Sequence, residues 1–152
     1  MHTIIETVQG EYRISTDPAR LDAAAIHAYL SRAYWAEGIP LNTVQRALEH
    51  SLCFGLYHPD GQVGLARVIT DCATFAYLCD VFVLENHRGR GLGRWLIECV
   101  LAHPELRNLR RFSLATRDAH ALYRRFGFQP LTRPERVMEI RNDDVYKSTE
   151  SE

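Results

Sequence analysis

Lysine is almost absent from the sequence, and so is net charge. Of the eighteen basic residues only Lys147 is a lysine, and nineteen acidic residues bring the net charge to −1. A molecule with this balance has no overall field that would draw it to nucleic acid or to an anionic membrane, so we expect neither as a partner. No apolar run approaches the roughly 20 residues that cross a bilayer, and residues 1–10 lack the basic start of a signal peptide.

Paired cysteines are also missing. The four cysteines, Cys53, Cys72, Cys79 and Cys99, have no C-x-x-C spacing and lie within apolar runs. This pattern is typical of buried thiols in a reducing compartment. We therefore expect a cytoplasmic protein without disulfide bonds and without zinc or another bound metal.

Size and composition indicate one folded domain. The chain has 152 residues, of which 46% are hydrophobic and 24% are charged. These values exclude a disordered chain, a collagen-like fibre and a small disulfide scaffold. We assign residues 1–141 to the domain and residues 142–152 to a polar tail, which we expect to be frayed.

Charge is distributed unevenly along the chain. Residues 1–86 hold five arginines and ten acidic residues, residues 87–136 hold eleven arginines and four acidic residues, and residues 137–152 hold two basic and five acidic residues. The net charges of these segments are −5, +7 and −3. Every basic residue of the middle block is an arginine, whose guanidinium suits two-point contacts with phosphate. An anionic ligand is therefore predicted for this block.

Hydrophobic periodicity predicts alternating strands and helices. The predicted strands cover residues 11–16, 52–58, 62–70, 74–84 and 111–116, with closing strands at 128–131 and 136–141. The predicted helices cover residues 21–34, 42–50, 92–102 and 118–125, with Asn42 and Asp118 as the expected N-caps. This order predicts a single α/β domain with a mixed sheet and a loop at 33–42 between the first two helices.

The sharpest local motif is a glycine-rich segment between the most apolar strand and a helix. Residues 87–93 have the sequence HRGRGLG. Glycines let a backbone approach a ligand closely, and the free N–H groups and dipole at a helix start favour a phosphate. Taken alone, the segment is equally compatible with a tight turn. It lacks the lysine of a Walker A loop and the glycine spacing of a dinucleotide fingerprint, which argues against a nucleotide-binding α/β protein.

A second motif follows at residues 121–128, whose sequence is ALYRRFGF. Arg88-x-x-Gly91-x-Gly93 after a central strand, followed by Leu-Tyr and then Gly-Phe, resembles the GNAT superfamily of acetyl-CoA-dependent N-acetyltransferases, whose first motif ends in glycine or alanine. The resemblance covers roughly residues 62–131. It implies a single-domain α/β fold with a central, mixed and largely antiparallel sheet flanked by helices.

The resemblance also implies an activity. Such enzymes transfer the acetyl group of acetyl-CoA directly to a primary amine of a small molecule or peptide, without a metal and without a covalent enzyme intermediate. A non-catalytic module that binds or senses acyl-CoA is the alternative function. Homodimer and monomer are both left open.

The resemblance further implies the residues that bind acetyl-CoA. N–H groups of the glycine segment would hold the pyrophosphate, and the backbone of the preceding strand would pair with the pantetheine arm. The implied residues are Arg88, Gly89, Arg90, Gly91, Leu92, Gly93 and Arg94 for the pyrophosphate, and Val81, Phe82 and Val83 for pantetheine. Thr116 stands where many relatives carry an asparagine, and its hydroxyl is the implied contact near the acetyl region.

Tyr123 is the implied catalytic acid, because a departing thiolate needs a proton donor of comparable pKa. The alternative is a core aromatic ring packed on its phenylalanine neighbours. Asp80 is the first candidate for the general base, because a charge within an apolar strand needs a reason. It has two alternatives, an outward position or a pair with an arginine. Glu37 is the second candidate, with a solvated surface glutamate as its alternative.

The loop at 33–42 is expected to cover the acceptor site. Tyr34 and Trp35 would supply aromatic walls and Glu37 a contact for a cation. The alternative is that these side chains only fasten the loop to the core. Because residues 1–86 carry a net charge of −5, a cationic amine is the expected acceptor.

Overall fold

The computed structural model describes residues 2–147. These residues form six strands and four α-helices. The strands are β1 (Glu6–Gln9), β2 (Tyr12–Ser15), β3 (Leu52–His58), β4 (Gly61–Thr70), β5 (Phe75–Val83) and β6 (Arg111–Leu114). The α-helices are α1 (Ala23–Leu30), α2 (Leu41–Glu49), α3 (Leu92–Ala102) and α4 (His120–Arg124). None of the described helices combines the length and the hydropathy that crossing a membrane requires.

One mixed sheet contains the six strands in the order of the sequence. The first five strands, β1 to β5, form four antiparallel pairs of neighbours. The last pair, β5 and β6, is parallel. A parallel neighbour needs a crossover, which α3 provides. The predicted fold class, an α/β domain with a largely antiparallel mixed sheet flanked by helices, is confirmed. Sequence periodicity missed β1, because this edge strand is almost wholly exposed and has little apolar alternation.

The two faces of the sheet have separate cores. On one face α3 buries Trp95 and Leu96 against β3, and on the other face α1 and α2 bury Ile26 and Val44 against Leu65 of β4. Because helices cover both faces, β3 and β4 are buried along most of their length.

A β-bulge interrupts β5. Leu65 of β4 pairs with Phe82, and Arg67 pairs with Cys79, so Ala66 opposes two residues of β5. One of these two is Asp80, whose φ of 51° is left-handed and unusual for a residue with a side chain. A single extra residue moves the following side chains to the other face of a sheet. Phe82 therefore packs in the core beneath α1 and α2, although Leu78 packs in the core beneath α3.

Both predicted helix caps are wrong. α2 begins after Pro40, whose carbonyl accepts the N–H of Val44 at 3.1 Å, and no side chain caps this helix. Proline has the extended backbone that an N-cap requires, so Asn42 lies inside the helix. The N-cap of α4 is Ala119 and not Asp118, and no side chain caps this helix. In the turn before it, the hydroxyl of Thr116 accepts the N–H of Ala119 at 3.0 Å.

The predicted closing strands are also wrong. Residues 128–131 and 136–141 form no strand, and a single-turn 3₁₀ helix covers Pro134–Arg136. Proline cannot donate a ladder hydrogen bond, and Pro130 and Pro134 interrupt this part of the chain. The tail beyond residue 141 is not wholly frayed, because Tyr146 packs against the core beneath α1 and α2.

Candidate active site

β5 and the edge strand β6 pair along only the first part of β5. β6 pairs with β5 only from Phe75 to Leu78, whereas β5 continues to Val83. Among residues 2–147 no strand pairs with this side of residues 79–83. The two strands therefore leave an opening, with unpaired backbone groups of β5 along one side. A free strand edge of this kind binds extended chains through its backbone.

The glycine segment joins the end of β5 to the start of α3. Gly89 and Gly91 adopt φ angles of 80° and 77°, which residues with a Cβ rarely take. Gly91 is the N-cap of α3, and no side chain caps this helix start. The first N–H groups of α3, at the positive end of the helix dipole, are therefore left for solvent or for a ligand.

Gly93 differs from the other glycines of the chain. Six of the nine have a positive φ, and a Cβ added to Gly55 or Gly64 would meet a neighbouring atom at 2.2 or 2.7 Å. Gly93 has neither property, because it lies in the first turn of α3 with no atom within 4 Å of an added Cβ. Glycine inside a helix costs about 0.5–1 kcal/mol relative to alanine. Nothing among residues 2–147 explains this glycine.

The space that Gly93 leaves open faces the helix start. Cβ atoms of an α-helix tilt toward its N-terminus, so a side chain at this position would project in front of the first N–H groups. Arg90 and Arg94 are exposed nearby, and their guanidinium groups bind no other residue of the described chain. A clear backbone surface beside two unpaired cations fits an anionic group such as a pyrophosphate.

Arg88 binds the protein itself. Its Nε donates to the carbonyl of Val83 at 2.8 Å, and its Nη2 donates to the hydroxyl of Tyr29 at 3.1 Å. Its backbone N–H donates to the carbonyl of Glu85 at 3.2 Å. We therefore revise the role of Arg88 from a pyrophosphate contact to a positioning residue, which fastens the glycine segment to β5 and α1.

Residues 31–38 form a loop that spans the opening. On the β5 side, Nε1 of Trp35 donates to Oδ1 of Asp80 at 2.7 Å. On the β6 side, the guanidinium carbon of Arg117 lies 3.8 Å from the ring centre of Tyr34. Both aromatic residues remain partly exposed, Tyr34 by 51% and Trp35 by 41%. They therefore fasten the loop and still present surface to a ligand.

Asp80 is held by two partners within the bulge. Besides the bond from Trp35, its Oδ2 accepts Nε of Arg67 at 2.7 Å, in an ion pair whose side chains are only 10% and 16% exposed. Nη1 of Arg67 also donates to the hydroxyl of Ser51 at 3.0 Å. Both carboxylate oxygens are thus engaged in tying the loop to the sheet. We therefore revise the assignment of Asp80 as a general base, and the structure supports its alternative, a pair with an arginine.

Tyr123 of α4 lines the cavity beside β6. The residue is 9% exposed, and its ring meets Phe128 edge-on at a centroid distance of 5.8 Å. Among the described residues its hydroxyl has no hydrogen-bond partner. Burial raises the pKa of Tyr123, and the neighbouring Tyr34 raises it further. The hydroxyl therefore stays protonated at neutral pH, and the side chain combines core packing with a free proton donor.

Thr116 and Glu37 lie in surroundings that sequence patterns did not predict. Oγ1 of Thr116 accepts the N–H of Ala119, which leaves its hydroxyl hydrogen and one lone pair for another partner. Glu37 is exposed and lies close to Lys147, whose pKa is raised by a hydrogen bond to Asp144 and then by the charge of Glu37. Glu37 therefore faces the tail of the chain, and its assignment as a base or acceptor contact is revised to its alternative, a surface glutamate.

The cysteines are poor nucleophiles. Cys53 and Cys79 lie near Arg67, yet burial raises the pKa of each thiol to about 12. Burial likewise raises the pKa of Cys99 to about 11. Since the thiolate is the reactive form, these groups are inert at neutral pH. All four cysteines are free thiols.

Two clusters outside the opening bring together potential metal ligands. Each has three ligand atoms within 4.8 Å of one another, and the clusters are His2, Cys72 and Glu105, and His58, Asp60 and His87. Hydrogen bonds already engage part of each cluster, since Nδ1 of His2 lies 3.1 Å from Glu105 and Nδ1 of His87 lies 2.8 Å from the Tyr12 hydroxyl. The expected absence of a bound metal stays a prediction.

Comparison with known proteins identifies the family. A model of the acetyltransferase (GNAT) domain matches residues 49–130, the part of the chain that holds the opening, the glycine segment and Tyr123. The chain belongs to the GNAT acetyltransferase family. A relative from Gibberella zeae, described as an acetyltransferase, is 39% identical over 76% of this chain and 77% of its own.

Solved structures agree with this assignment. A GNAT acetyltransferase from Xanthomonas campestris is 53% identical, covers 91% of this chain and 99% of its own, and superposes with a TM-score of 0.88. The present protein is thus an acyltransferase. An acetyltransferase from Clostridium acetobutylicum, solved with acetyl-CoA, is 16% identical over 86% of this chain and 94% of its own, with a TM-score of 0.62. At that identity the likeness shows the fold alone.

Sequence reasoning missed three residues of this GNAT site. Arg67 is the only charged residue of β4, as Asp80 is of β5, so two isolated opposite charges on neighbouring strands were an available signal. Arg117 was hidden within the arginine block. Tyr29, which stacks on Phe82 at 4.0 Å and binds Arg88, had no local signature, because its partners come from distant parts of the chain.

Proposed function

We propose that this acyltransferase takes the acetyl group from acetyl-CoA and transfers it directly to a primary amine. The observation that carries the donor half is Gly93, a helical glycine that has no structural role among the described residues and keeps an uncapped helix start clear. The unpaired edge at residues 79–83 leads from the glycine segment toward the loop at 31–38. An extended arm with amide groups, such as pantetheine, matches such an edge. The four free thiols support a reducing, cytoplasmic location.

Tyr123 is the proposed acid. The amine nitrogen bonds to the thioester carbon, the C–S bond breaks, and the tyrosine hydroxyl gives its proton to the departing sulfur. Its hydroxyl is protonated at neutral pH and has no competing partner among the described residues. A positioned acid of this kind contributes about 10²–10⁴-fold to a rate.

Direct transfer is favoured over an acetyl-cysteine intermediate. A thiol with a pKa of about 12, such as that of Cys79, holds almost no thiolate at neutral pH. The acceptor amine is therefore the proposed nucleophile. Since Asp80 is engaged and Glu37 faces the tail, we infer that the amine attacks as its neutral fraction and gives its proton to water.

The charges around the acceptor end favour an amine that also carries an anionic group. Arg67 already neutralises Asp80, whereas Arg117 stands 64% exposed on the ring of Tyr34. Its one acidic neighbour, Asp118, is 3.6 Å away and itself 71% exposed, so water screens that pair. This proposal replaces the cationic acceptor that net charge over residues 1–86 suggested.

An acceptor screen with acetyl-CoA tests the function. Release of free thiol is followed for amines matched in size and differing in charge, for example an amino acid, its amide and a diamine. We expect turnover with at least one primary amine, and a higher kcat/KM for the amine that carries a carboxylate. A preference for the diamine that weakens with salt would overturn the proposed acceptor class.

Tyr123→Phe tests the acid with the best acceptor found. We expect kcat to fall by about 10²–10⁴-fold while the Kd for acetyl-CoA stays within about twofold. Tyr57→Phe is the matched control, because the buried hydroxyl of Tyr57 has no hydrogen-bond partner whose loss would matter. Native turnover of Tyr123→Phe in a single-turnover experiment would return Tyr123 to a purely structural role.

A further inference from the structure

Two histidines and one aspartate meet at the end of the sheet where β3 and β5 finish. His58 is the last residue of β3, Asp60 lies in the turn to β4, and His87 is the first residue of the glycine segment. One potential ligand atom from each residue lies within 4.8 Å of the other two. Two imidazole nitrogens and one carboxylate oxygen, with a fourth position left for water, are a ligand set that zinc takes in proteins.

The two imidazole rings are held in place by each other and by Tyr12. The ring centres of His58 and His87 are 4.9 Å apart, and the Tyr12 ring centre lies 5.1 Å from the first and 5.7 Å from the second. Tyr12 is 9% exposed, and the side chain of His58 is 15% exposed. Rings that are already fixed by packing lose little freedom when they bind an ion, so the two histidines are preorganised as ligands.

Each imidazole has one nitrogen bound to a residue at the start of β2 or in the turn before it. Nε2 of His58 lies 3.4 Å from Oε2 of Glu11, and Nδ1 of His87 lies 2.8 Å from the hydroxyl of Tyr12. If these nitrogens carry the ring protons, Nδ1 of His58 and Nε2 of His87 each have a lone pair to offer. Metal-binding histidines are usually supported in this way, with the second nitrogen donating to a carboxylate or another oxygen.

The distance between His58 and Asp60 also fits a shared cation. Oδ2 of Asp60 lies 3.2 Å from Nδ1 of His58, and the backbone N–H of Asp60 donates to the same nitrogen at 3.2 Å. A nitrogen that accepts an N–H has no proton to give the carboxylate, so two lone pairs face each other. Two ligands at 2.0–2.1 Å from a tetrahedral zinc ion are themselves about 3.3 Å apart. The ion would displace the long N–H bond, and water can accept the freed N–H because Asp60 is exposed.

We propose that His58, Asp60 and His87 bind one zinc ion, through Nδ1, Oδ2 and Nε2 respectively. The absence of zinc was expected from the spacing of the cysteines, but none of these ligands is a cysteine. Magnesium and calcium are poor candidates, because both prefer oxygen ligands. The site takes no part in the proposed acetyl transfer. It fastens the turn between β3 and β4 to the first residue of the glycine segment.

Calorimetric titration of the untagged full chain with zinc chloride, after treatment with a chelator, tests the site. We expect one zinc ion per chain and no binding of magnesium. At free zinc about 100 times the Kd, Tm should rise by about 5–10 °C, because the folded protein alone holds the three ligands together. Absence of zinc binding, or an unchanged Tm at that concentration, would overturn the proposal.

Three variants locate the ion. Asp60→Asn keeps the size of an exposed turn residue and removes its carboxylate, so the Kd for zinc should weaken by at least about 10-fold. Tyr12→Phe keeps the packed ring and removes the support of His87, and a loss of about 10–100-fold is expected. Cys72→Ser is the control, because it removes the thiol of the other cluster, and its Kd should be native. A native Kd in Asp60→Asn, or a loss of binding in Cys72→Ser, would contradict the assignment.

Long-range ¹⁵N–¹H NMR of the histidine rings identifies the ligand atoms without any substitution. Zinc should shift the ¹⁵N signals of Nδ1 in His58 and Nε2 in His87, while the other nitrogen of each ring keeps its proton. Shifts confined to His2 would place the ion in the cluster with Cys72 and Glu105, and the proposed site would be wrong.

Discussion

Valine in place of Gly93 is the sharpest test of the donor site. The variant adds a branched side chain where an added Cβ has no neighbour within 4 Å, so the protein itself has room for it. The side chain would project over the first N–H groups of α3, where we place the pyrophosphate. Folding and ligand binding should therefore respond in different ways.

The expected magnitudes follow from the position in α3. Valine is a better helix former than glycine by about 0.3 kcal/mol, so Tm should rise by about 1 °C or stay unchanged. Loss of one charge-assisted hydrogen bond to the phosphate costs about 1.5–3 kcal/mol, which weakens the Kd for coenzyme A by about 10–150-fold. Gly93→Ala should gain about 0.5–1 kcal/mol in stability and bind almost normally, because the resembling motif admits alanine there.

Calorimetric titration with coenzyme A and a thermal melt of the same samples measure both quantities. Glu98→Ala is the control, since Glu98 is exposed farther along the same helix. A native Kd for Gly93→Val would refute the site. A Tm lowered by several degrees would refute the reasoning too, because the glycine would then have a structural role.

Two predictions concern the site's charges. Asp80→Asn leaves Arg67 buried without its counter-charge, so stability should fall by about 3 kcal/mol and Tm by about 6–12 °C; a large loss of kcat with an unchanged Tm would restore Asp80 as the base. The pH profile of kcat/KM should rise with the fraction of neutral amine, and its midpoint should follow the amine's own pKa when the acceptor is changed. Because burial raises the pKa of Tyr123, its hydroxyl loses the proton that catalysis needs only in the strongly alkaline range, and kcat/KM should fall only there. If the midpoint of the rising pH profile stays fixed when the acceptor is changed, a base on the enzyme must accept the amine's proton.

Local chemistry in the sequence was enough to propose the donor end. Gly91 has a left-handed backbone, and Gly93 lies at a helix start with open space around it. Both features are visible in the sequence as residue type and spacing. The central sheet was predictable for a similar reason, since β3, β4 and β5 are covered on both faces and are strongly apolar. Residue type, spacing and hydrophobic runs can be recognised in the sequence without knowing which distant residues contact them in the fold.

The acceptor end depends on partners that are far apart in the chain. Asp80 and Arg67 were each visible as isolated charges, but their pairing depends on a bulge that periodicity does not reveal. Trp35 joins Asp80 across 45 positions of sequence. The prediction of the closing strands was wrong for a related reason. The pattern at residues 136–141 is that of a strand, but a strand also needs a paired neighbour, and these residues pair with no strand of the described sheet.

The proposed site uses backbone groups at one end and side chains at the other, and this difference affects how its specificity can change. The proposed donor end consists mainly of N–H groups at a helix start and an unpaired strand edge, which most point mutations leave intact. The proposed acceptor end presents Tyr34 and Arg117, whose exposures are 51% and 64%. Substitutions at such surface positions usually change stability by less than about 0.5 kcal/mol. Under the proposed function, evolution or an engineer can therefore redirect this scaffold to new amines while the acetyl donor stays the same.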